Sequence, residues 1–413
     1  MSHSLRQYMM VTLSYWGFTI TDGALRMLVV LYFHGLGYSP FEVAALFLFY
    51  EFFGIITNLF GGWLAARIGL HKTLHMGLFL QLLALGMLLV EPVWLTTIYV
   101  MAAQALSGIA KDLNKMSAKS SIKLLVPDAA QTTLYRWVAL LTGSKNSLKG
   151  AGFFIGALLL SSIGFRAAIL SLFLSLLVVC IGSFFLLKED TKKNPYKPKF
   201  RELFSKSPSI NRLSAARFFL FGSRDIWFVV ALPVYLQSEL GWDYTAVGSF
   251  LALWIIGYGA VQSLAPKLTQ LSGHKNPDGR TALHWALPLC FIPAFIAAGL
   301  YYSQYYPAAQ QFILVDPGKL LVVGLMVYGF VFAINSSLHS YLIVAYAQRD
   351  GVSLDVGFYY MANAAGRLIG SLLSGLVYQW QGLGACMLLA SGFIVAASIV
   401  SRKLPVHSAQ GDT

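Results

Sequence analysis

Residues 103–123, AQALSGIAKDLNKMSAKSSIK, continue an apolar run that begins at Val93. The segment sets four lysines at four-residue intervals, Lys111, Lys115, Lys119 and Lys123. Side chains four residues apart are neighbours on a helix, so the segment predicts a helix that crosses lipid and ends as a cationic ridge. A charge inside a membrane span costs about 2.5–3.5 kcal/mol. The ridge is therefore either an anchor at the inner face or a binding site for an anion.

The composition of the whole chain supports a membrane location. Of its 413 residues, 57% are hydrophobic and 11% are charged, whereas soluble domains carry about 25% charged residues. Apolar runs of helix-spanning length recur and alternating ten-residue strands do not, which predicts an all-α membrane protein and not a barrel. The net charge of +13 lies mostly between the spans, as the positive-inside rule requires, and does not indicate a nucleic-acid partner.

Several chemical functions lack their sequence signals. The three cysteines each lie in an apolar run without a CxxC pair, which favours buried apolar side chains over a redox or metal site. The chain contains no GxxxxGK[ST], HExxH or GxSxG, so ATP-driven transport and hydrolysis are disfavoured. We expect no enzyme activity, no cofactor and no metal. No cleavable signal precedes the first span, which we expect to be retained.

Twelve spans account for the apolar runs, and basic residues between them place both termini in the cytoplasm. The spans are predicted at 8–33, 41–66, 73–90, 93–114, 132–162, 165–187, 212–236, 244–268, 282–302, 319–346, 355–379 and 383–401.

The chain also contains an internal repeat of six spans. Asp22 precedes LVVLYFHGLGYSPFEV, and about two hundred residues later Asp225 precedes VVALPVYLQSELGWDYTAV. We therefore predict an N-terminal half (1–187), a basic cytoplasmic linker (188–211) and a C-terminal half (212–413). Two parallel six-helix halves resemble the major facilitator arrangement.

A short motif after the second span carries the same resemblance. GWLAARIGLHK is similar to the superfamily signature G-x3-D-R-x-G-x-[RK]-[RK], which implies a gating role. Ala66 stands where the signature has its aspartate, and His71 occupies one basic position. The carboxylate of the usual gating salt bridge is therefore missing from this motif. The matching positions are Gly62, Arg67, Gly69 and Lys72.

Charged residues are unevenly distributed among the spans. The resemblance implies that helices three, six, nine and twelve form an outer scaffold. Spans six and twelve carry no ionisable charge between their ends, and spans three and nine carry only His75 and His284 near their starts. Charged residues avoid lipid and face a wet interior, so the distribution predicts a solute pathway. The charges lie in spans one, two, four, five, seven and eleven: Asp22, Arg26, Glu51, Lys111, Asp112, Lys145, Lys149, Arg217, Arg224, Asp225 and Arg367.

Three of these cations fall near mid-membrane at a helical rise of about 1.5 Å per residue, namely Lys145, Arg224 and Arg367. Asp225 is expected to point away from its neighbour Arg224. Unpaired cations at this depth indicate a polyanionic solute with phosphate-like groups, which form bidentate bonds with arginine. The alternative is that the arginines pair with Asp22, Asp225 or Glu51 and only hold the helices together.

For the other cations of the spans, the sequence leaves more than one role open. Arg26 either binds substrate or pairs with Asp22, four residues before it. Lys149 shares a helix face with Lys145 and is a further candidate. Lys111 is either an anchor that snorkels to the inner surface or part of an anion funnel. The last two lysines of the ridge are expected to be anchors.

Carboxylates and amides complete the candidate site. Asp22, Asp225 and Glu51 are candidates for carrying a coupled proton, with structural pairing as the alternative. Polar residues of spans ten and eleven either donate to substrate oxygens or bond between helices; they are Asn335, Ser336, His339 and Asn363.

A closer resemblance covers the full length and is densest in the first half. Segments 21–40, 47–70, 103–123 and 136–154 are similar to ArsJ-type organoarsenical efflux permeases. This resemblance implies export of 1-arseno-3-phosphoglycerate, which a partner glyceraldehyde-3-phosphate dehydrogenase makes when arsenate replaces phosphate. The ester decomposes outside to arsenate, so the pair confers arsenate resistance. Its several negative charges suit a cation-rich cavity.

We therefore expect a bacterial inner-membrane efflux carrier that works by proton-coupled alternating access. One alternative is a carrier of the same fold that takes up or exchanges organophosphates. Another is a membrane sensor that does not transport, although such a protein has no need of intramembrane cations.

Overall fold

The computed structural model describes residues 3–38, 46–127, 130–187, 207–228, 230–242, 244–271, 273, 276–306, 316–348 and 351–406. In these ranges the chain is helical, without strands. The helices are α1 (His3–Gly35), α2 (Leu48–Ile68), α3 (Leu70–Met87), α4 (Thr97–Leu125), α5 (Gln131–Leu186), α6 (Pro208–Phe228), α7 (Ala231–Ser238), α8 (Tyr244–Leu271), α9 (Gly279–Tyr305), α10 (Pro317–Tyr346) and α11 (Val352–Ser401), with a 3-10 turn at Pro92–Trp94.

Two of the helices each contain two predicted spans. The backbone of Gly164 in α5 has φ 78°, and that of Gly382 in α11 has φ 73°. Glycine adopts this left-handed region without a Cβ penalty, so each helix bends there and continues. The breaks coincide with the predicted gaps between spans five and six and between spans eleven and twelve.

Helices of the described ranges lie in all twelve predicted spans, and the all-α fold is confirmed. Seven helical stretches there are long and apolar enough to cross a membrane. They are Leu48–Ile68, Gln131–Leu186, Pro208–Ser238, Ser249–Leu271, Gly279–Tyr305, Pro317–Tyr346 and Val352–Ser401.

Several boundaries differ from the prediction by a few residues, and three differences change how the chain is divided. Helix α4 ends at Leu125 and not at 114. The segment that carries the last lysines is packed inside the protein, so it continues as helix beyond the predicted end of the span. Span seven is divided, since α6 ends at Phe228 and α7 begins at Ala231. Residues 208–211, assigned to the linker, form the first turn of α6; residues 188–206 of the linker lie outside the described ranges.

The chain forms two compact units. The first comprises Met1–Lys206 with Val344–Met361, and the second comprises Ser207–Ile343 with Ala362–Thr413. Each unit has its own apolar core: that of the first includes Phe18, Leu28 and Leu78, and that of the second includes Trp227, Trp254 and Phe332.

In the first unit α1 packs on α5 and α4, while α2 and α3 pack on α4. The crossing of α1 and α5 is close, since a Cβ at Gly152 would lie 2.6 Å from the Ile20 carbonyl oxygen and one at Gly23 would lie 2.8 Å from that of Lys149. Small residues let the backbones approach. This crossing sets Asp22, next to Gly23, beside the part of α5 that carries Lys149.

Candidate functional site

The charged residues of α1, α2 and α4 meet around Tyr50 in the first unit. Asp22 is 4% exposed and accepts hydrogen bonds from the Tyr50 hydroxyl, 2.8 Å from Oδ1, and from the Ser107 hydroxyl at 3.5 Å. Neither partner is a cation, so a phenol and an alcohol hold this carboxylate.

Arg26 does not form the predicted pair with Asp22. Its Nη2 donates to Glu51 Oε1 at 3.2 Å, and the guanidinium lies over the rings of Phe47 (5.1 Å) and Tyr50 (4.5 Å). The next helix supplies a carboxylate at the level of Arg26, which sequence spacing within α1 does not reveal. The side chain of Arg26 is 25% exposed and that of Glu51 is 35% exposed, so the pair stays accessible.

Lys111 contacts an aromatic ring and a carboxylate of the first unit. Its Nζ lies 3.8 Å from the centroid of the Tyr50 ring and 3.8 Å from Asp112 Oδ2. Lys115 Nζ lies 2.5 Å from the other oxygen of Asp112, whose side chain is 2% exposed. Of the two alternatives for Lys111, these contacts favour the anion funnel over the snorkelling anchor.

The inner end of the cationic ridge is also buried. Lys119 is 3% exposed and Lys123 is 5% exposed, so the prediction that they are interfacial anchors is wrong. Lys119 Nζ lies 5.1 Å from the centroid of the Tyr360 ring, and Lys123 donates to the Ala345 carbonyl at 3.3 Å. This carbonyl is in the last turn of α10, where the helix dipole favours a cation.

Lys145 and Lys149 are half-buried on α5. Lys149 forms no ion pair with the described carboxylates, and its Nζ lies 5.8 Å from the centroid of the Phe153 ring. The positive charges of Arg26, Lys145 and Lys111 act on it, opposed by Asp22. The ammonium groups and the guanidinium therefore repel one another, which an added anion would relieve.

The signature motif lies at the junction of α2 and α3. Gly69 joins the two helices with φ 100°, which explains why the motif needs glycine there. Gly62 packs against the start of α11, where its carbonyl accepts a bond from Ser353 Oγ at 2.8 Å. Arg67 lies over the Trp63 ring at 4.8 Å, and Lys72 is exposed.

In the second unit, one buried carboxylate holds two arginines. Asp225 is 0% exposed; its Oδ1 lies 2.5 Å from Arg224 Nη2, and its Oδ2 lies 2.9 Å from Arg367 Nε. The expectation that Asp225 points away from its neighbour is wrong, because the arginine side chain is long enough to fold back. The cations are therefore paired, but the site keeps two positive charges for one negative charge. The Arg367 side chain remains 34% exposed.

A polar network around Arg217 lies beside this site. Arg217 Nε donates to Asn363 Oδ1 at 2.9 Å, and its Nη1 donates to Ser336 Oγ at 3.3 Å. Gln262 donates to the same hydroxyl at 3.0 Å. Sequence reasoning noted Arg217 as a membrane charge but assigned it no role. Its partners Ser336 and Asn363 come from α10 and α11, Gln262 of α8 joins the network through Ser336, and no local spacing predicts these contacts.

Asn335 and His339 are almost completely buried. Asn335 is 0% exposed and donates to the Ala282 carbonyl at 3.0 Å. His339 is 1% exposed. Of the two alternatives for the polar residues of α10, these placements correspond to bonding between helices.

The two units repeat one arrangement. Gly152 precedes Gly164 of α5 by twelve residues, as Gly370 precedes Gly382 of α11. A Cβ at Gly370 would lie 2.5 Å from the Gly222 carbonyl oxygen and 3.1 Å from the Asp225 Cβ, so α11 crosses α6 as α5 crosses α1. This register matches Lys149 with Arg367, each three residues before the glycine, and Lys145 with Asn363.

Within the described residues, the charged cluster of each unit has more cations than carboxylates. In the first, five cations (Arg26, Lys111, Lys115, Lys145, Lys149) accompany three carboxylates (Asp22, Glu51, Asp112); in the second, Arg217, Arg224 and Arg367 accompany Asp225.

A cavity of 960 Å³ in the second unit is not part of this system. Among the described residues, carboxylates and aromatic rings line it and no lysine or arginine does; the lining includes Glu239, Asp316, Tyr235, Trp242, Tyr301 and Trp380. Such a lining repels an anion. Asp316 accepts a hydrogen bond from the Lys319 N–H at 2.8 Å, which lowers the pKa of Asp316. No group of three potential metal ligands occurs within the described residues.

Solved structures share the fold. The human organic anion transporter MFSD10 (TETRAN) is 16% identical, with a TM-score of 0.74, covering 97% of this chain and 100% of that one. A variant of the fucose:proton symporter FucP of E. coli is 12% identical, with a TM-score of 0.71 and coverage of 97% and 99%. A bacterial homologue of the iron transporter ferroportin, in an outward-facing state, is 17% identical, with a TM-score of 0.68 and coverage of 98% and 99%. The curated proteins contain no match to this sequence.

The family model for the Major Facilitator Superfamily matches residues 8–308 and 213–412. These matches extend over nearly the whole chain and agree with the helical fold and its internal repeat. The chain is a multi-pass membrane transporter, not an enzyme, and it belongs to the Major Facilitator Superfamily.

Proposed function

We propose that this transporter carries a multiply charged organic anion and that its physiological cargo is 1-arseno-3-phosphoglycerate, exported to confer arsenate resistance. The main support for an anion is Lys149, which is half-buried and forms no ion pair with the described carboxylates while nearby positive charges act on it, so that a negative cargo would stabilise it. Desolvated cations are expensive unless they are paired. A carrier of neutral or cationic solutes has no use for such a group.

The identity of the cargo is supported by the resemblance to ArsJ-type permeases. The ester carries an acyl arsenate at one end and a phosphate at the other, and planar guanidinium groups bind such oxyanions with paired bonds. Arg367 and Arg26 are accessible enough to make these contacts, with side chains 34% and 25% exposed. The other substrate contacts that we propose are Lys145, Lys149, Lys111 and Arg224. For Asn335 and Asn363 we instead propose a structural role, in hydrogen bonds that hold helices together.

We propose outward transport by alternating access of the N-terminal and C-terminal halves, driven by the proton gradient across the bacterial inner membrane, with both termini in the cytoplasm. Among the three candidate carboxylates, Glu51 and Asp225 lie in ion pairs, whereas the hydrogen-bond partners of Asp22 within the described ranges are hydroxyl groups. Asp22 can therefore bind a proton without breaking an ion pair. The motif residues Gly62, Arg67, Gly69 and Lys72 are assigned to gating.

The direct test uses everted vesicles from an arsenate-sensitive host. A glyceraldehyde-3-phosphate dehydrogenase, glyceraldehyde 3-phosphate, NAD and arsenate outside the vesicles generate the ester in place. We expect arsenic to accumulate inside only when carrier, dehydrogenase and proton gradient are all present. Accumulation of arsenate without the dehydrogenase would contradict the ester as cargo. In whole cells, protection from arsenate should likewise require both proteins.

A second candidate is uptake or exchange of organophosphates, because the same cations bind phosphate. Growth of the host on an organophosphate through this carrier, without arsenate protection, would favour it. A carrier with neither activity would leave the sensor alternative.

Lys149→Gln should weaken the anion site without removing a structural ion pair. A charge-assisted hydrogen bond contributes about 1.5–3 kcal/mol, so we expect the apparent KM to rise at least about tenfold. The apparent KM is measured in the vesicles with excess dehydrogenase and varied arsenate. The control is Lys319→Gln, which removes the same charge from a side chain that is 63% exposed and outside the cluster. Equal values for both variants would remove Lys149 from the site.

A further inference from the structure

Tyr50 connects the carboxylate and the cations of the first unit. The residue is 1% exposed, and its hydroxyl donates to both oxygens of Asp22, at 2.8 Å and 3.1 Å. Its backbone is fixed as well, since a Cβ at Gly108 would lie 2.5 Å from the Tyr50 carbonyl oxygen. Helices α2 and α4 therefore touch at this point, and the tyrosine ring has little freedom to move.

The same ring holds two cations from two other helices. Arg26 of α1 lies 4.5 Å from its centroid and Lys111 of α4 lies 3.8 Å from it. Both distances are within the range of cation–π attraction, which strengthens when the pair is desolvated. Arg26 Nε is buried without a hydrogen-bond partner in the described part of the chain, so the guanidinium is held by the ion pair of Nη2 with Glu51 and by stacking on the aromatic rings.

We propose that Tyr50 is the positioning residue of the anion site. Its ring holds Arg26 and Lys111 in place, and its hydroxyl donates a hydrogen bond to Asp22, so one side chain links the carboxylate to the two cations. This inference rests on the proposed function. The two cations would otherwise repel each other, and the electron-rich ring lets them stay close before the cargo arrives. A preorganised site of this kind binds more tightly because less ordering is left for the binding step.

The hydroxyl also makes the site sensitive to protonation of Asp22. An ionised carboxylate only accepts hydrogen bonds, whereas a protonated one also donates. A proton on Asp22 would therefore let the Tyr50 hydroxyl accept a hydrogen bond from Asp22 where it now only donates, on a ring that carries both cations. The charged and titratable groups in this region of the described residues include Tyr15 and Arg26 on α1, Tyr50 and Glu51 on α2, Lys111 and Asp112 on α4 and Lys149 on α5.

Two substitutions separate the roles of the ring and the hydroxyl. Tyr50→Phe keeps the ring, so we expect an apparent KM within about twofold of wild type but a displaced pH dependence of transport. Tyr50→Leu removes the ring, and loss of two cation–π contacts, each about 0.5–2 kcal/mol, should raise the apparent KM about tenfold or more. The vesicle assay with generated ester gives both the KM and the pH profile.

Tyr8 offers a matched control. It is a buried tyrosine of α1 whose hydroxyl donates to the Trp137 carbonyl at 3.1 Å and whose ring stacks on Trp137. Tyr8→Phe and Tyr8→Leu should leave the KM and the pH profile unchanged, although stability falls. A Tyr50→Leu protein with wild-type KM would overturn the inference, and so would a tenfold KM increase in Tyr50→Phe.

If Tyr50→Leu does not fold, the Tyr50→Phe profile decides. A pH dependence identical to wild type, in a variant that transports, would refute the coupling through the hydroxyl. Absence of ester transport in the wild-type protein itself would instead refute the proposed cargo, so the two failures are distinguishable.

Discussion

Asp225→Asn is expected to destabilise the second unit strongly, by about 3–5 kcal/mol, because removal of one member of a buried ion pair leaves uncompensated charge. Asp225 is 0% exposed and faces Arg224 at 2.5 Å and Arg367 at 2.9 Å. An asparagine has one acceptor oxygen, and its amide hydrogens would meet two donors. Thermal unfolding of the purified protein in detergent should show a large decrease in midpoint temperature.

Asp22→Asn is the matched control, since Asp22 holds the corresponding position in the first half of the repeat. Its partners are hydroxyl groups, and an asparagine oxygen can still accept from Tyr50, so we expect a loss of about 1 kcal/mol or less. A double variant, Asp225→Asn with Arg367→Gln, should recover part of the stability because one of the two repelling guanidinium groups is gone. Similar midpoints for Asp225→Asn and Asp22→Asn would refute the account of the second site.

The same comparison bears on transport. If Asp225 mainly keeps two arginines together, its loss should reduce the amount of folded carrier, and the folded fraction should bind anion poorly. If Asp22 carries the proton, Asp22→Asn should remain folded but lose accumulation driven by the proton gradient. Transport per folded molecule, measured in both variants, separates these effects.

Much of the fold was predictable because lipid imposes simple rules. Apolar runs must be about twenty residues long to cross the hydrocarbon core, and glycine marks the bends at Gly164 and Gly382. The repeat of Asp22 and Asp225 predicts two similar halves. These signals depend on hydropathy and on single residues, so they can be recognised in the sequence without knowledge of tertiary contacts.

The partners of the charges were less predictable, because side chains reach across helices. Spacing within α1 favours Arg26 with Asp22, but Glu51 of α2 lies closer to the guanidinium. Helical geometry separates Arg224 from Asp225, but a long side chain folds back to it. Tyr50 lies within the aromatic run FLFYEFF, and nothing in that run distinguishes it from the phenylalanines around it.

The repeat also shows why the charge pairing in one half cannot be predicted from that in the other. Lys149 and Arg367 occupy matching positions, but Arg367 meets a carboxylate that is already paired with Arg224, whereas Lys149 lies among other cations. Equivalent helix crossings therefore hold different electrostatic states. The half with hydroxyl partners at its aspartate is the one that we expect to respond to protons.

Gly152→Val should separate α1 from α5 and disable the first anion site. A Cβ at this position would lie 2.6 Å from the Ile20 carbonyl oxygen and 3.2 Å from the Gly23 Cα. Because these neighbours are backbone atoms, the helices must move apart; overpacking typically costs about 1–3 kcal/mol. The movement displaces Asp22, adjacent to Gly23, from Tyr50. We expect a lower unfolding midpoint together with a severe loss of ester transport.

Gly182→Val tests whether this effect comes from the crossing or from the change of residue. Gly182 lies in the same helix, and a Cβ there would have no heavy atom within 4 Å, so the substitution should change the midpoint little and leave transport near wild type. Gly152→Ala should fall between the two, since one methyl group forces a smaller separation. If Gly152→Val matched Gly182→Val in both stability and transport, the close crossing of α1 and α5 would not be what positions Asp22 and Lys149.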